Sequence, residues 1–339
     1  MKIQPGKFIT IQSMTTTKTA DVAATVAQIN SLAGIGCDIV RAAVPNIESA
    51  HAIGKIKDKI SIPLVADIHF DHKLAIAAVE AGADKIRINP GNIGGNDNVK
   101  AVADACRKKD IPIRIGVNGG SLEKDILEKH GGVTPEAMVE SVMNHVALLN
   151  RFDFDNIWLS AKASNVPLTV KVYRLLHERT NYPLHLGITE AGTEYNGIIK
   201  SSIGIGALLL DGIGDTIRVS LTAEPEKEVE AAKAILRSLG LRSGLDIISC
   251  PTCGRCNIDV IKIAKEVEAR LDKTTHYCLS ENLTIAIMGC AVNGPGEAKQ
   301  ADFGIAGGDC EGLIFAKGEI IKKAPMENLV EELFNVIKR

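Results

Sequence analysis

The sequence predicts a parallel (β/α)8 TIM barrel followed by a small α+β domain. Over the first 240 residues, short runs rich in β-branched residues alternate eight times with longer, Ala-rich helical segments. This alternation is typical of successive βα units around a parallel sheet. It ends at the segment GLRSG, residues 240–244, after which the elements are fewer and differently spaced. We therefore predict a barrel domain over residues 1–240 and a second domain over residues 245–339.

The eight predicted barrel strands are short apolar runs that turn polar near their carboxyl ends. In chain order they cover residues 8–14, 38–44, 63–69, 85–90, 112–118, 156–164, 184–192 and 215–223. Gly82, Gly212 and Gly240 occupy positions where the helices between them should end. An open doubly wound sheet is the alternative fold. The G-x-G-x-x-G fingerprint of that fold does not follow the first strand, which favours the barrel.

The second domain is predicted to be a small α+β unit. Strands are expected over residues 245–250 and 283–290, with a helix over 257–273 between them. Short strands and a terminal helix near residues 326–339 complete the unit.

Composition excludes several classes of partner. Hydrophobic residues make up 45% of the chain and charged residues 24%, and the net charge is -2. These values are typical of a globular protein and give no reason to expect nucleic acid or a membrane as a partner. The chain has no apolar run of about 18 residues, and its first residues lack the apolar segment of a secretory signal. We expect a cytoplasmic protein, in which clustered cysteines indicate a metal or redox site.

Five cations occur near the ends of the predicted barrel strands: Arg41, Arg87, Arg114, Lys162 and Arg218. In a barrel these strand ends meet at one face, where active sites are found. A single arginine there could simply reach solvent or pair with a carboxylate. Five cations would repel one another unless an anion with several charges compensated them, and guanidinium groups match phosphate geometry. The pattern therefore predicts a site for a diphosphate.

The cysteines of the second domain form the other candidate site. The run SCPTCGRC places Cys250, Cys253 and Cys256 within seven positions, and Cys290 ends the next predicted strand. The NGPG sequence that follows predicts a tight turn that returns Glu297 towards Cys290. Three sites fit: an all-thiolate zinc or iron–sulfur site, a mixed site with Glu297 in place of Cys256, or a dithiol pair without metal. Donor softness alone favours Cys256 over Glu297.

The remaining cysteines are expected to be structural. Cys37, Cys106 and Cys278 are isolated in the sequence, and we expect them to be buried thiols that act as small hydrophobic side chains. Cys310 lies beside two glycines and is assigned a structural role as well.

Four motifs resemble the 4-hydroxy-3-methylbut-2-enyl diphosphate synthase family, iron–sulfur enzymes of the non-mevalonate isoprenoid pathway. They are IQSM (11–14), TEAGT (189–193), CPTC (250–253) and GCAVNGPGEA (289–298). The resemblance covers essentially the whole chain, and NGPGE after a cysteine is highly specific. It implies a 4Fe-4S cluster held by Cys250, Cys253, Cys290 and Glu297, with the carboxylate on the fourth iron. Cys256 departs from this pattern and is treated as a bystander.

The resemblance also implies the substrate, 2-C-methyl-D-erythritol 2,4-cyclodiphosphate, which agrees with the cationic strand ends. Glu190 matches the carboxylate that the family places near the reacting carbon. The residues implied to bind substrate are Arg41, Asp67, His69, Arg87, Asn89, Arg114, Asn118, Lys162, Thr189, Arg218 and Ser220.

The implied reaction is a two-electron reductive ring opening with loss of water, driven by flavodoxin or ferredoxin. We expect Glu297 to be displaced by a substrate oxygen and Glu190 to supply the proton. The eighth helix, near residues 225–239, would run about 22 Å from the catalytic face to the opposite face. The second domain would then most simply cap the barrel of a partner chain, giving a homodimer with composite active sites.

Two other functions remain open from the residues alone. The first is a non-redox barrel synthase that binds a phosphorylated heterocycle, as pterin-handling synthases do, with a structural zinc domain appended. The second is a zinc-dependent scaffold protein, which the cationic strand ends disfavour.

Overall fold

The structure, a computed structural model, describes residues 8–273, 283–290, 296 and 298–338. It divides into two compact units, Met1–Leu241 and Arg242–Arg339, each with its own sheet. Among the described residues, no helix has both the length and the apolar character needed to cross a membrane.

The first unit contains eight parallel strands. They are β1 (Thr10–Met14), β2 (Ile39–Ala43), β3 (Leu64–Asp67), β4 (Lys85–Ile88), β5 (Ile113–Asn118), β6 (Ile157–Lys162), β7 (His185–Leu186) and β8 (Thr216–Ile217). The strands pair in the order β6-β5-β4-β3-β2-β1-β8-β7. A parallel bridge between Leu159 and Leu184 joins the two ends of this sheet. The predicted eight-stranded barrel is therefore confirmed.

Nine helices surround these strands in the part of the chain that the structure describes. They are α1 (Val22–Gly34), α2 (Ile47–Lys57), α3 (His72–Glu80), α4 (Asn96–Lys109), α5 (Lys124–His130), α6 (Pro135–Asn150), α7 (Val166–Arg179), α8 (Glu194–Leu210) and α9 (Pro225–Ser238). Each strand is followed by a helix, and the β5–β6 connection carries two. Gly82, Gly212 and Gly240 have positive φ directly after α3, α8 and α9, which confirms the predicted helix ends.

Successive side chains of each barrel strand lie alternately in two environments, outside the barrel beneath the helices and inside the barrel. Outward-facing residues such as Val40, Ile86 and Leu159 are fully buried beneath the helices. The intervening residues point into the barrel, because side chains of a strand alternate between its two faces. Many of the inward residues are polar or charged, unlike the branched aliphatic residues that usually fill such a barrel. The barrel interior is therefore the place where a polar ligand fits.

Strands β7 and β8 are shorter than predicted. Each contains two residues, whereas the sequence predicted nine-residue runs in both places. Regular pairing stops at Gly187, where a Cβ atom would lie 2.5 Å from the carbonyl oxygen of Arg218. The two strands approach each other too closely there for a regular ladder of backbone hydrogen bonds. Beyond this point they are joined only by the bridge between Thr193 and Thr222.

The second unit is a mixed five-stranded sheet with helices packed against it. Its elements are β9 (Leu245–Ser249), α10 (Val260–Lys273), β10 (Leu283–Met288), β11 (Phe303–Ala306), β12 (Glu311–Ala316), β13 (Glu319–Pro325) and α11 (Leu329–Ile337). The strand order is β13-β12-β11-β10-β9, with β9, β10 and β11 parallel and the others antiparallel. Apolar side chains of α10, α11 and the sheet, including Val267, Ile287 and Leu333, form its core. The predicted small α+β unit is confirmed.

The isolated cysteines have different environments. Cys37 and Cys106 are buried, as predicted, and burial raises the pKa of their thiols to about 11 and about 12. The structural assignment of Cys310 gains no support, because this side chain is exposed and adds nothing to the core. Cys278 lies outside the described residues.

Candidate active site and candidate metal centre

Strand register brings the predicted cations together inside the barrel. Arg87 of β4 lies beside Arg114 of β5, and Asn118 of β5 lies beside Lys162 of β6. On the other side of β4, Arg87 lies beside Asp67 of β3. Because paired residues of parallel strands point to the same face of the sheet, these side chains all enter the barrel.

The inward side chains surround a cavity of about 230 Å³ near the carboxyl ends of the strands. Ten of its eleven lining residues belong to the set that the family resemblance implies to bind substrate. The eleventh is Ser160, which precedes Lys162 on the same face of β6. The full lining is Arg41, Asp67, His69, Arg87, Arg114, Asn118, Ser160, Lys162, Thr189, Arg218 and Ser220.

Asp67 anchors one side of the cavity. Its carboxylate accepts a hydrogen bond from Arg87 Nη1 at 3.0 Å, and Arg41 Nε and His69 Nε2 each lie 3.6 Å away. Burial by itself would raise the pKa of Asp67, but Arg41, His69 and Arg87 hold it well below its ordinary value. The carboxylate is therefore charged at neutral pH and fixes both arginines in place.

Glu228 of α9 anchors the opposite side. Its two carboxylate oxygens accept from Arg218 Nη2 at 3.1 and 3.3 Å. The same carboxylate also accepts from the hydroxyl of Ser13 and from the backbone N–H of Leu221, both at 3.1 Å. Glu228 is 5% exposed. This buried network fixes Arg218 at the rim of the barrel.

Arg114 and Lys162 have no such partner. Nε and Nη2 of Arg114 are buried without a hydrogen-bond acceptor among the described residues, and Arg114 is only 2% exposed. Lys162 is 7% exposed, and the described residues offer it no ion pair. Buried donors and charges are normally satisfied, so these two side chains are suited to bind an anion that enters the cavity.

Two inward-facing glycines make room for the cations. A Cβ atom on Gly116 would overlap Nε of Arg87, and one on Gly187 would lie 2.7 Å from Nζ of Lys162. Any larger residue at either position would displace a cation from the cavity.

Five cations face two carboxylates in this site. Burial lowers the pKa of Lys162 well below its ordinary value, and Arg114, Arg218, Arg41 and Arg87 lower it further. Burial and the neighbouring cations also lower the pKa of Arg41 to about 10, although Asp67 opposes this change. An anion bound in the cavity would remove this repulsion.

Charged and polar side chains also lie below the cavity, towards the amino-terminal ends of the barrel strands. Nζ of Lys85 lies 3.4 Å from the ring centroid of Trp158, a cation–π contact at the amino-terminal ends of β4 and β6. Burial lowers the pKa of Lys85 to about 7, and Arg114 contributes to the shift. His185 of β7 is also buried, and its Nε2 has no partner among the described residues.

The cysteines of the second unit meet at one edge of its sheet. Strands β9 and β10 are parallel neighbours, and Ser249 of β9 pairs with Ile287 of β10. Cys250, which follows β9, therefore lies beside Gly289 and Cys290, which follow β10. The backbone N–H of Gly289 donates to Cys250 Sγ at 3.0 Å. Cys253 is exposed, and the N–H groups of Arg255, backbone and side chain, lower the pKa of its thiol. These thiols form a candidate metal centre.

The candidate metal centre offers thiol donors. Cys250, Cys253, Cys256 and Cys290 are all described, yet no three cysteine, histidine or carboxylate side chains of the described residues converge on one metal position. Because Gly289 has no side chain, Cys256 Sγ can approach the backbone there, where a Cβ atom would overlap the sulfur. Thiolates are soft ligands of the kind that hold iron–sulfur clusters. Glu297 lies outside the described residues.

Comparison with known proteins identifies the family. The GcpE TIM-barrel domain matches residues 1–233, and the GcpE protein C-terminal domain matches residues 246–339. The chain belongs to the GcpE family.

Relatives of this GcpE chain are similar over nearly their full length. A protein of Ruminiclostridium cellulolyticum is 59% identical over 97% of this chain and 92% of its own length. One of Caldicellulosiruptor saccharolyticus is 60% identical over 98% of this chain and 94% of its own. Both are named 4-hydroxy-3-methylbut-2-en-1-yl diphosphate synthase (flavodoxin).

Among solved structures, a dihydropteroate synthase from Yersinia pestis covers 69% of this GcpE chain and 93% of its own chain. The TM-score is 0.48 and the identity 13%. This similarity is too distant to bear on the activity of the chain.

Two predicted site residues of this GcpE chain lie apart from the cavity lining. Asn89 is buried, but its Oδ1 accepts from the backbone N–H of Gly91 at 3.1 Å and caps the short 3-10 turn Pro90–Asn92. Glu190 is exposed, beside the lining residue Thr189, and its φ of 51° lies in the left-handed region. That backbone costs a non-glycine residue about 1–2 kcal/mol, so the loop holds Glu190 in a specific orientation.

The sequence analysis missed Glu228. A usable signal exists, because Glu228 lies on the same side of α9 as the buried residues Ala232 and Ile235, at positions i, i+4 and i+7. A carboxylate within an apolar stripe has to find a buried cation. Which cation it meets depends on barrel closure, and the sequence carries no such information.

Proposed function

We propose that this chain converts 2-C-methyl-D-erythritol 2,4-cyclodiphosphate to 4-hydroxy-3-methylbut-2-enyl diphosphate, a reductive ring opening and dehydration in isoprenoid precursor biosynthesis. The observation that carries the proposal is the barrel cavity, which is lined by five cations and the carboxylate of Asp67, while Glu228 pairs with Arg218 from outside the lining. Two of the cations have no counter-charge, and a diphosphate supplies it. The names of the relatives support the same reaction. Membership of the GcpE family disfavours the pterin-type and scaffold functions.

Arg114 and Lys162 are the primary diphosphate ligands in this proposal. Their buried donors gain charge-assisted hydrogen bonds when the anion enters, and these are roughly twice as strong as neutral ones. Arg41, Arg87 and Arg218 are already positioned by Asp67 and Glu228, so they bind without losing side-chain freedom. His69, Asn118, Ser160, Thr189 and Ser220 add polar contacts at the rim.

Cys250, Cys253 and Cys290 would hold a 4Fe-4S cluster, with Glu297 as its fourth ligand. When bound, such a cluster supplies single electrons at low potential and one iron open to an oxygen ligand. A carboxylate is a weaker ligand for iron than a thiolate, so Glu297 would be the most readily exchanged ligand of this set.

Glu190 is proposed to protonate the departing oxygen, which leaves as water. Glu190 is exposed and directly follows Thr189, which lines the cavity, and its backbone lies in the left-handed region. General acids of this kind contribute typically 10²–10⁴-fold to rate. Glu190→Gln should therefore lose about 10²-fold or more in kcat with little change in KM.

Flavodoxin is the proposed electron donor, as in the names of the relatives, with ferredoxin as the alternative. Low-potential electrons and free thiolates require a reducing compartment, so we place the enzyme in the cytoplasm. We also propose a homodimer in which the cluster-binding unit of one chain serves the barrel of its partner.

The decisive test is anaerobic turnover of the cyclic diphosphate with an artificial one-electron reductant. Purified without oxygen, the protein should be brown, absorb broadly near 400 nm and contain about four irons per chain. It should release the linear diphosphate, detected by phosphorus NMR. Colourless protein with one zinc per chain, or conversion by a fully iron-free preparation, would overturn the proposal.

A second test addresses Glu297. Glu297→Ala should keep three thiolate ligands and yield a labile cluster with little turnover, because the fourth iron loses its protein ligand. Iron content should fall on repeated gel filtration faster than for the unaltered protein. Full activity in this variant would contradict the role of Glu297.

A further inference from the structure

Cys256 is the thiol that the proposed function leaves unused, and its position is specific. The backbone N–H of Cys256 donates to the carbonyl of Cys253 at 3.0 Å, which closes a turn. Its Sγ donates to the carbonyl of Ile258 at 3.3 Å and packs against the core of the second unit. The side chain is half-buried, whereas that of Cys253 is exposed. The fold therefore turns Cys256 inwards and Cys253 outwards.

The sulfur of Cys256 shares a small space with that of Cys250. A Cβ atom built on Gly289 would overlap Cys256 Sγ and would lie 3.4 Å from Cys250 Sγ. Both sulfurs thus lie within 3.4 Å of a single point. Residue 289 has no side chain to separate the two sulfurs, and a methyl group of Val260 lies at the edge of the same space.

The connecting chain is short and already folded back. Cys250 and Cys256 are separated by five residues, and the hydrogen bond from Asn257 N to Gly289 O, at 2.8 Å, fixes the far end of the loop beside β10. Joining the two sulfurs closes only a short loop, so the entropic cost is small.

We propose that Cys250 and Cys256 form a reversible disulfide when the cluster is absent, which protects a cluster ligand from irreversible oxidation. The inference rests on the proposed function only in assigning Cys250 as a ligand. In the first step, hydrogen peroxide oxidises one thiol to a sulfenic acid and is reduced to water. The second thiol then attacks the sulfenic sulfur, an S–S bond forms, and a second water leaves. A dithiol reductant adds two electrons and two protons and restores both thiols.

The protection has a chemical reason. A sulfenic acid that finds no thiol is oxidised further to sulfinic and sulfonic acids, which thiol reductants do not reverse. A neighbouring thiol that lies within the fold intercepts the sulfenic acid before the second oxidation. Cys256 has this position without being needed to hold the cluster.

The competing pair is Cys250 with Cys253, the C-x-x-C dithiol. Cys253 is exposed, and Arg255 lowers the pKa of its thiol, so it reacts readily with peroxide. The structure favours Cys256 as the partner of Cys250, since both sulfurs approach Gly289. The two pairings give different cross-linked peptides, which makes them distinguishable.

The experiment uses the full-length chain, stripped of metal by a chelator under nitrogen and treated with hydrogen peroxide in a series from equimolar to severalfold excess, since over-oxidation of a thiol consumes two or more equivalents. Peptide mass spectrometry should find Cys250 linked to Cys256, and dithiothreitol should release both thiols. Iron and sulfide should then rebuild absorption near 400 nm. In Cys256→Ser and Cys256→Thr, Cys250 should become sulfinic or sulfonic acid and cluster recovery should be lost. Cys310→Ser, which removes an exposed thiol, is the matched control and should behave like the unaltered chain.

Three outcomes would overturn the proposal. One is a dominant Cys250–Cys253 link, and another is equal cluster recovery with and without Cys256 after peroxide. The third is a loss of iron in both Cys256 variants before any oxidation, which would make Cys256 a ligand. Thermal melts of the variants identify folding failure separately. A chain that binds no iron but forms the Cys250–Cys256 link would refute the proposed cofactor and leave this inference standing.

Discussion

The barrel and the second unit both place functional side chains at the carboxyl ends of parallel strands, but they prepare their sites differently. In the barrel, Asp67 and Glu228 pair with three arginines, and buried side chains line a defined cavity. In the second unit, the described thiols are half-buried or exposed, and no three converge on one metal position. Buried charges require internal partners, whereas thiols tolerate exposure. A charged site is therefore formed by the fold, and a cluster site is completed by its cofactor.

The largest effect is expected from removing a thiolate ligand, which should disable the cluster site and leave the barrel site intact. Cys290→Ser should lose nearly all bound iron and turnover, because the hydroxyl is a poor replacement for a soft sulfur ligand. Binding of inorganic pyrophosphate to the barrel should remain unchanged. Metal analysis and isothermal titration calorimetry measure the two properties, with Cys310→Ser as the control. Loss of pyrophosphate binding in Cys290→Ser would mean that the sites are not separable.

Mixed dimers test whether the barrel of one chain works with the cluster-binding unit of its partner, because each variant chain keeps one of the two sites intact. Cys290→Ser keeps the barrel and Arg114→Met keeps the cluster ligands. In a composite homodimer, half the mixed population is heterodimeric with one intact site of two, so activity should reach about a quarter of the unaltered level. The measurement is turnover after denaturation and joint refolding, with each variant alone as the control. Activity no higher than that of the single variants would exclude composite sites.

A smaller effect is expected from Lys162→Met. In contrast to Cys290→Ser, this change should weaken the barrel site and leave the cluster site intact. Iron content should stay normal, and pyrophosphate affinity should fall about 10–100-fold through loss of one charge-assisted contact. Burial and four arginines lower the pKa of Lys162, and a bound anion raises it again, so binding takes up a proton. Affinity should therefore weaken as pH rises.

Calorimetry in buffers of different ionisation enthalpy measures that proton uptake, which should decrease in Lys162→Met. Unchanged uptake would place the titrating group elsewhere in the cavity.

The smallest expected effect concerns stability at the base of the barrel. The pKa of Lys85 falls from 10.5 to about 7 on folding, so between these values the unfolded chain carries the extra proton. Stability from this group therefore rises with pH across that window and is lowest below pH 7. Lys85→Met should stabilise the protein most near pH 7 and progressively less towards pH 10. Urea unfolding at several pH values tests this, and a pH-independent difference would contradict it.

The sequence was a good guide wherever local pattern decides the outcome. Apolar runs with polar ends gave the eight strands, and the strand-end cations proved to line one cavity. The pattern was a poor guide to the lengths of β7 and β8, because these depend on how closely two backbones approach at Gly187. It also gave no indication of α5, a short helix inserted between β5 and α6.

The sequence by itself determined which structural units and functional side chains are present: a barrel of βα units, five cations at strand ends, and thiols at the ends of two strands. Alternation and strand-end polarity are local properties that a linear sequence records directly. Only the tertiary structure decided the pairing. Ser13 and Glu228 meet across 215 residues, Arg114 and Lys162 have no carboxylate partner, and Cys256 lies beside Cys250 at Gly289. Barrel closure and strand register set these contacts, and neither is written in any local stretch of the chain.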